Sequence, residues 1–136
     1  EVLAAKAGLP FRFFQGVEKL VLPTLAAGGH GCVVAQGNIA PHLFGALLAA
    51  WQAGETARAE ELQQKITSLW SIFSRREVKQ SFPHFLHTLK LPLHQRGLLA
   101  TTAGAVPGVT FAPEFEQMIT DFMQEHLEPE LTLRTP

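Results

Sequence analysis

The sequence predicts an α/β protein in which one β-α-β unit is followed by helices alone. Residues 11–15 form an aromatic-rich run and residues 32–35 form an apolar run without alternation, and both runs have the length of a short strand. Residues 17–27 lie between them and carry apolar side chains at helical spacing. Because the connections are short, we expect the two strands to pair in parallel through a helical crossover.

Two parallel strands leave a sheet with too little cover. Each strand would have an unpaired edge, and the continuous apolar run 32–35 is typical of a strand that is covered on both faces. We therefore expect this unit to be the end of a larger α/β array. Preceding strands or another chain would complete that array.

The rest of the chain is predicted to be helical. Pro41 suits the first turn of a helix, where its missing N–H costs nothing. The segment 101–113 is predicted to be a loop, residues 1–7 the end of a helix, and residues 128–136 a tail. Helices are predicted over residues 42–53, 56–73, 82–95 and 114–127.

Composition excludes several classes of function. Lys and Arg number 11 against 12 Asp and Glu, and no basic stripe is present, which argues against nucleic acid or an anionic membrane as a partner. No apolar run approaches the roughly 20 residues of a membrane span, and the first residues do not resemble a signal peptide. The single cysteine, Cys32, fits a reducing compartment. These observations predict a cytoplasmic protein.

The glycine-rich stretch 28–41 allows two interpretations. A small ligand group could meet free backbone amides where the second strand ends and the next helix begins, and glycines would let it come close. Alternatively, the glycines only form tight turns. The spacing alone leaves both interpretations open.

The same stretch belongs to a set of motifs that resembles the dihydrodipicolinate synthase / N-acetylneuraminate lyase family. The set is fairly specific as a whole, although each piece is weak alone, and it is clearest from Leu9 to Phe73. The motifs are Phe14-Gln15-Gly16, Leu22-Pro23-Thr24-Leu25-Ala26-Ala27-Gly28-Gly29-His30-Gly31, Gly37-Asn38-Ile39-Ala40-Pro41, Trp51-Gln52-Ala53-Gly54-Glu55 and Ala59-Glu60-Glu61-Leu62-Gln63.

The resemblance implies a fold and an activity. The chain would comprise the last β/α units of a (β/α)8 TIM barrel over residues 1–55, followed by a C-terminal helical extension over residues 56–136. Family members are usually homotetramers. They are Schiff-base aldolases or lyases that act on pyruvate or a related 2-keto acid. We expect no cofactor and no metal in this chain.

The catalytic groups of that family are not expected in this chain. The family uses a lysine on strand six and a tyrosine on strand five, whereas this chain has no tyrosine. Its lysines fall in predicted helices or polar loops, which lack the desolvated setting that a Schiff-base lysine needs. We therefore expect the catalytic residues to lie upstream or on another chain. The lysines are Lys6, Lys19, Lys65, Lys79 and Lys90.

Three residues match substrate-facing positions of the family. Gly16 follows strand seven, where substrate approaches the backbone, and Val33 on strand eight lines the pyruvate end of the pocket. Glu18 stands where sialic acid lyases bind the sugar chain, but Lys19 and Ala35 depart from that pattern and argue against a sialic acid lyase. Gly16 and Val33 could equally be scaffold, and Glu18 could be a solvated acid in the first turn of a helix.

Two other functions remain open. The chain could be a non-catalytic helical module for oligomerisation or interaction, derived from the same family, or a small ligand-binding module that uses the stretch 28–41. A metal site is not predicted, because His84, His87 and His94 lack a further ligand nearby.

Overall fold

The computed structural model describes residues 10–127, and the predictions for residues 1–7 and 128–136 lie outside them. The described residues divide into two compact units between Ser68 and Leu69. The predicted domain division after residue 55 stays a prediction. No helix within residues 10–127 has the length and apolar character needed to cross a membrane.

The first unit opens with the predicted β-α-β arrangement. Strand β1 (Phe14–Gln15) leads through a 3₁₀ turn (Glu18–Leu20) into helix α1 (Val21–Ala26), and strand β2 (Gly31–Cys32) follows. The strands pair in parallel, with Phe14 opposite Gly31 and Gln15 opposite Cys32. Parallel pairing across a helical crossover is therefore confirmed.

Both strands are shorter than predicted, and the helix between them begins later. The side-chain oxygen of Gln15 accepts hydrogen bonds from the amides of Gly16 and Val17, at 2.9 and 3.0 Å. These bonds hold the chain in a turn where the periodicity predicted the start of the helix. Val33 is 77% exposed in the described part of the chain. The expectation that residues 32–35 are covered on both faces stays a prediction, because that cover was expected from preceding strands or another chain.

The remainder of the first unit is helical. A 3₁₀ turn (Ala35–Asn38) follows β2 and leads to helix α2 (Pro41–Gln52), in which Pro41 is the first helical residue, as predicted. Helix α3 (Thr56–Phe73) begins in this unit and contains the division between the two units. The core of the first unit includes Val21, Ile39, Leu43, Leu47, Leu62 and Ile66, each at most 2% exposed.

The second unit contains the end of α3, a 3₁₀ turn (Val78–Gln80), helix α4 (Phe82–Gln95) and helix α5 (Pro113–Leu127). These helices and the irregular segment between them agree with the prediction. Aromatic rings pack the start of α4 against the end of α3, and the ring centres of Phe73 and Phe85 lie 5.4 Å apart. Helix α4 continues through Pro92, which is buried.

Candidate functional site

Gly16 and Val33 lie side by side where the two parallel strands end. The amide of Val33 donates to the carbonyl of Gln15 at 2.9 Å, which extends the ladder by one bond beyond β2. A Cβ atom built on Gly16 would lie 3.9 Å from the carbonyl oxygen of Val33, and both residues are exposed. Carboxyl ends of parallel strands are where α/β enzymes place their ligands. The structure thus brings two of the three predicted site residues together at a suitable edge.

Glu18, the third predicted site residue, is buried beside this edge. Glu18 is only 4% exposed, and its side-chain oxygen Oε1 accepts a hydrogen bond from the amide of Gln36 at 3.2 Å. The alternative of a solvated acid in the first turn is therefore wrong. The carboxylate joins the segment after β1 to the segment after β2, since Glu18 follows one strand and Gln36 follows the other.

Two glutamines that the sequence did not single out as site residues organise this edge. Gln15 donates from Nε2 to the hydroxyl of Thr24 in α1 at 2.7 Å, while its Oε1 holds the turn after β1. Gln63 in α3 accepts from the amide of Leu22 at 2.8 Å and donates to the carbonyl of Glu18 at 3.1 Å. Gln15 could have been recognised from the sequence, because it directly precedes the predicted site residue Gly16. Gln63 could not, because it lies 41 residues from its partner Leu22.

The backbone amides of the glycine-rich stretch are largely engaged within the chain. At its start, the amides of Gly28 and Gly29 donate to carbonyls of α1, and Gly28 has a positive φ of 88°. This arrangement ends the helix as glycine commonly does. After β2, the amides of residues 37, 39 and 40 donate to carbonyls of the same turn. The interpretation of the glycines as turn formers is therefore favoured over an amide-lined ligand site.

Cys32 at the end of β2 is half-buried and close to Glu18. Burial raises the pKa of the Cys32 thiol, and the charge of the Glu18 carboxylate raises it further. The thiol is thus held in its neutral, weakly nucleophilic form. Cys32 is better suited to packing than to covalent chemistry.

The three histidines of α4 each have a separate partner. His84 Nδ1 lies 2.9 Å from the hydroxyl of Ser81, and His94 Nδ1 lies 2.9 Å from the carbonyl oxygen of Leu99. His87 contacts Glu116, as described below. Across residues 10–127, no group of three or more His, Cys, Asp or Glu side chains is arranged to hold a metal ion.

Comparison with known proteins decides the family. The family model for the dihydrodipicolinate synthetase family matches residues 2–125. The chain belongs to this family. Its members among the curated relatives include the 4-hydroxy-tetrahydrodipicolinate synthases of Methanopyrus kandleri, 39% identical over 59 residues, and of Gluconacetobacter diazotrophicus, 40% identical over 60 residues.

The matched segments are short compared with those relatives. They cover 43% and 44% of this chain and 20% of each relative, so the match spans about a fifth of the length of the curated proteins. The family assignment therefore rests on the family model over residues 2–125, and the relatives named here are synthases.

Solved structures support the same fold. A structure of YagE, a prophage protein of the dihydrodipicolinic acid synthase family from E. coli K12 in complex with pyruvate, matches with a TM-score of 0.76 at 23% identity, over 91% of this chain and 40% of that one. A dihydrodipicolinate synthase family protein from Coccidioides immitis matches with a TM-score of 0.67 at 18% identity, over 91% and 41%. The chain thus shares the fold of part of these barrel proteins.

Proposed function

We propose that this chain is the C-terminal part of a Schiff-base aldolase or lyase that acts on pyruvate or a related 2-keto acid. The observation that carries the proposal is the pair Gly16 and Val33, adjacent and exposed at the carboxyl ends of parallel strands in a chain of this family. In (β/α)8 barrels that end of the strands is where substrates bind. Gly16 and Val33 would form the substrate-binding wall, and the buried Glu18, the third predicted site residue, would hold the segments beside that wall in place.

The exposed apolar surface of the small sheet supports a place within a larger barrel. Phe14 in β1 is 51% exposed and Val33 is 77% exposed. The interior of a (β/α)8 barrel is packed with side chains of this kind from neighbouring strands. The upstream half of the barrel would cover this surface. The family resemblance implies a homotetramer, and the composition of the chain favours the cytoplasm as its location.

Each of the three residues has a distinct contribution to the proposed pocket. Gly16 has no side chain, so a keto acid can approach the backbone there. Val33 provides an apolar wall that excludes water near the reacting carbon. Glu18 is a positioning residue in this proposal, because its carboxylate bonds Gln36 and links the segments that follow the two strands.

The lysine that forms the iminium would come from outside this chain. The iminium draws electrons from the adjacent carbon and so allows a carbanion to form there. Within the described residues no lysine lies in β1 or β2, and the sequence has no tyrosine. The chain alone is therefore expected to lack catalytic competence.

Borohydride trapping with pyruvate tests the proposal. The chain alone should give no adduct by intact mass. A chimera, in which the upstream part of the Methanopyrus kandleri synthase is joined to this chain at the matched segment, should give one. An adduct on a lysine of the chain alone would show that the assignment of the strands is wrong.

Variants of the chimera test the pocket wall. Val33→Asp should reduce adduct formation by about tenfold or more, because its carboxylate would repel the carboxylate of the keto acid. Leu98→Asp is the matched control, since Leu98 is also an exposed apolar residue, at 59%. Equal loss in both variants would refute the role of Val33.

The other class of function is a non-catalytic helical module for oligomerisation or interaction. A well-folded chimera that forms no adduct with pyruvate would favour it. In that case the mass of the chain in solution should increase with concentration.

A further inference from the structure

The second unit contains a cavity of about 230 Å³ that involves neither Gly16 nor Val33. One wall is the first three turns of α4, and the other is the segment 102–109, which precedes α5. Its apolar lining includes Phe82, Leu86 and Val106, which are 70%, 36% and 51% exposed. Exposed apolar side chains around a concave surface are typical of a site that binds something.

The polar groups of this cavity carry positive but no negative charge. Lys90, His87 and Thr102 line it, and no carboxylate does. The Lys90 ammonium donates to the carbonyl of Ala103 at 2.6 Å, which holds the charged group against the segment that forms the second wall. An ammonium has three donors, so further hydrogen bonds to an occupant are possible.

His87 is fixed at the base of this arrangement. It is 5% exposed, and its Nε2 lies 3.3 Å from Oε1 of Glu116 in α5. The ring also packs against the edge of Phe111, with centres 5.2 Å apart. Glu116 contacts His87 but does not line the cavity, so Lys90 is the charged side chain of the lining.

We propose that this cavity binds a small organic monocarboxylate with an aliphatic or aromatic body. The carboxylate would accept charge-assisted hydrogen bonds from Lys90, and the apolar body would contact Phe82, Leu86 and Val106. The volume is slightly below the range of about 300–1,000 Å³ for drug-sized ligands, which sets the ligand as a small one. A phosphate is a poorer match, since Lys90 is the one lysine or arginine of the lining and most of the lining is apolar.

The test is a titration of the full chain with benzoate, followed by amide NMR shifts. Benzamide serves as the neutral analogue of the same shape. Benzoate should shift signals from α4 and from residues 102–109, and benzamide should bind about tenfold more weakly, as expected for one lost charge-assisted contact. Absence of binding, or equal binding of both compounds, would overturn the proposal.

Lysine variants separate this site from general attraction of anions. Lys90→Met should weaken benzoate about tenfold and leave benzamide unchanged, while Lys90→Arg should retain benzoate binding. Lys79→Met is the matched control, because Lys79 is exposed on the turn before α4 and does not line the cavity. An equal effect of Lys79→Met would refute the assignment.

A variant that fills the cavity gives an independent answer. Ala105 lines the cavity and is exposed, so Ala105→Leu can be accommodated without disturbing the core. It should abolish the binding of both compounds and leave the urea midpoint of unfolding unchanged. Undiminished benzoate binding to this variant would place the ligand elsewhere and refute the proposal, even if Lys90→Met failed to fold.

Discussion

Replacement of Gly29 by alanine tests how tightly the segment before β2 is packed against α1. A Cβ atom at Gly29 would lie 2.5 Å from Cγ2 and 2.8 Å from the carbonyl oxygen of Thr24. Carbon atoms in contact prefer about 3.5–4.0 Å, so the methyl of Thr24 would have to move by roughly 1 Å.

Thr24 has little freedom to make that movement. Its hydroxyl accepts a hydrogen bond from Gln15, and its carbonyl accepts one from the amide of Gly29 itself at 2.8 Å. Thr24 is also buried, at 6% exposure. We therefore expect Gly29→Ala to lower the free energy of unfolding by about 1–3 kcal/mol, the usual cost of overpacking.

Gly45→Ala is the matched control for the same chemical change. Gly45 lies inside α2, is exposed, and has nothing within 4 Å of a built Cβ. Alanine there should raise the free energy of unfolding by about 0.5–1 kcal/mol, because it favours a helix more than glycine does. The two variants should thus change stability in opposite directions.

Urea unfolding followed by circular dichroism measures both changes. If Gly29→Ala were as stable as the parent chain, the contact with Thr24 would not be rigid, and the packing argument would fail. If both variants were stabilised alike, the space around Gly29 would be as open as that around Gly45.

Three further predictions concern the polar groups around the same edge. Gln36→Met should raise the free energy of unfolding by about 1–3 kcal/mol, because within residues 10–127 the buried side-chain amide of Gln36 has no hydrogen-bond partner. Glu18→Gln should lower the pH at which iodoacetamide modifies Cys32, because the Glu18 charge raises the pKa of the thiol; burial, the larger cause, should keep that pKa above its ordinary value. Gln63→Ala should lower the free energy of unfolding by about 1–3 kcal/mol, because the amide of Leu22 and the carbonyl of Glu18 both lose a hydrogen-bond partner.

Controls for these predictions come from neighbouring exposed positions. Gln52→Met and Gln64→Ala replace exposed glutamines and should change stability by less than about 0.5 kcal/mol. Glu60→Gln, on the exposed face of α3, should leave the reactivity of Cys32 unchanged. A destabilised Gln36→Met variant would show that its amide has a partner, and an unchanged Cys32 profile in Glu18→Gln would contradict the proximity of the two groups.

The sign of the Cys32 effect on stability follows from the same pKa shift. The pKa of the Cys32 thiol is higher in the folded state than in the unfolded chain. The neutral thiol therefore contributes fully to stability when the pH is below the pKa that this thiol has in the unfolded chain. This contribution declines as the pH rises through the folded-state pKa. Glu18→Gln should narrow the pH range over which this contribution is lost, because it lowers the pKa of Cys32 in the folded state but not in the unfolded chain.

The sequence by itself determined the helices, the parallel β-α-β unit and the family. The spacing of apolar residues indicates the helices, and Pro41, Gly28 and Gly54 mark where helices begin or end. These signals act through local backbone preferences, which a segment has whatever its neighbours are. Gly16 and Val33 were singled out through the family resemblance that the surrounding motifs carry. These features required no knowledge of distant contacts.

Tertiary structure alone decided the surroundings of the polar and apolar groups. Glu18 is buried because the amide of Gln36 comes within reach of it, and Gln63 caps a turn far away in the sequence. The exposure of Val33 and the cavity beside Lys90 likewise depend on which segments pack together. Local preference indicates which segments form helices or strands. The ends of those segments and the environment of each side chain depend on contacts that only the folded chain assembles.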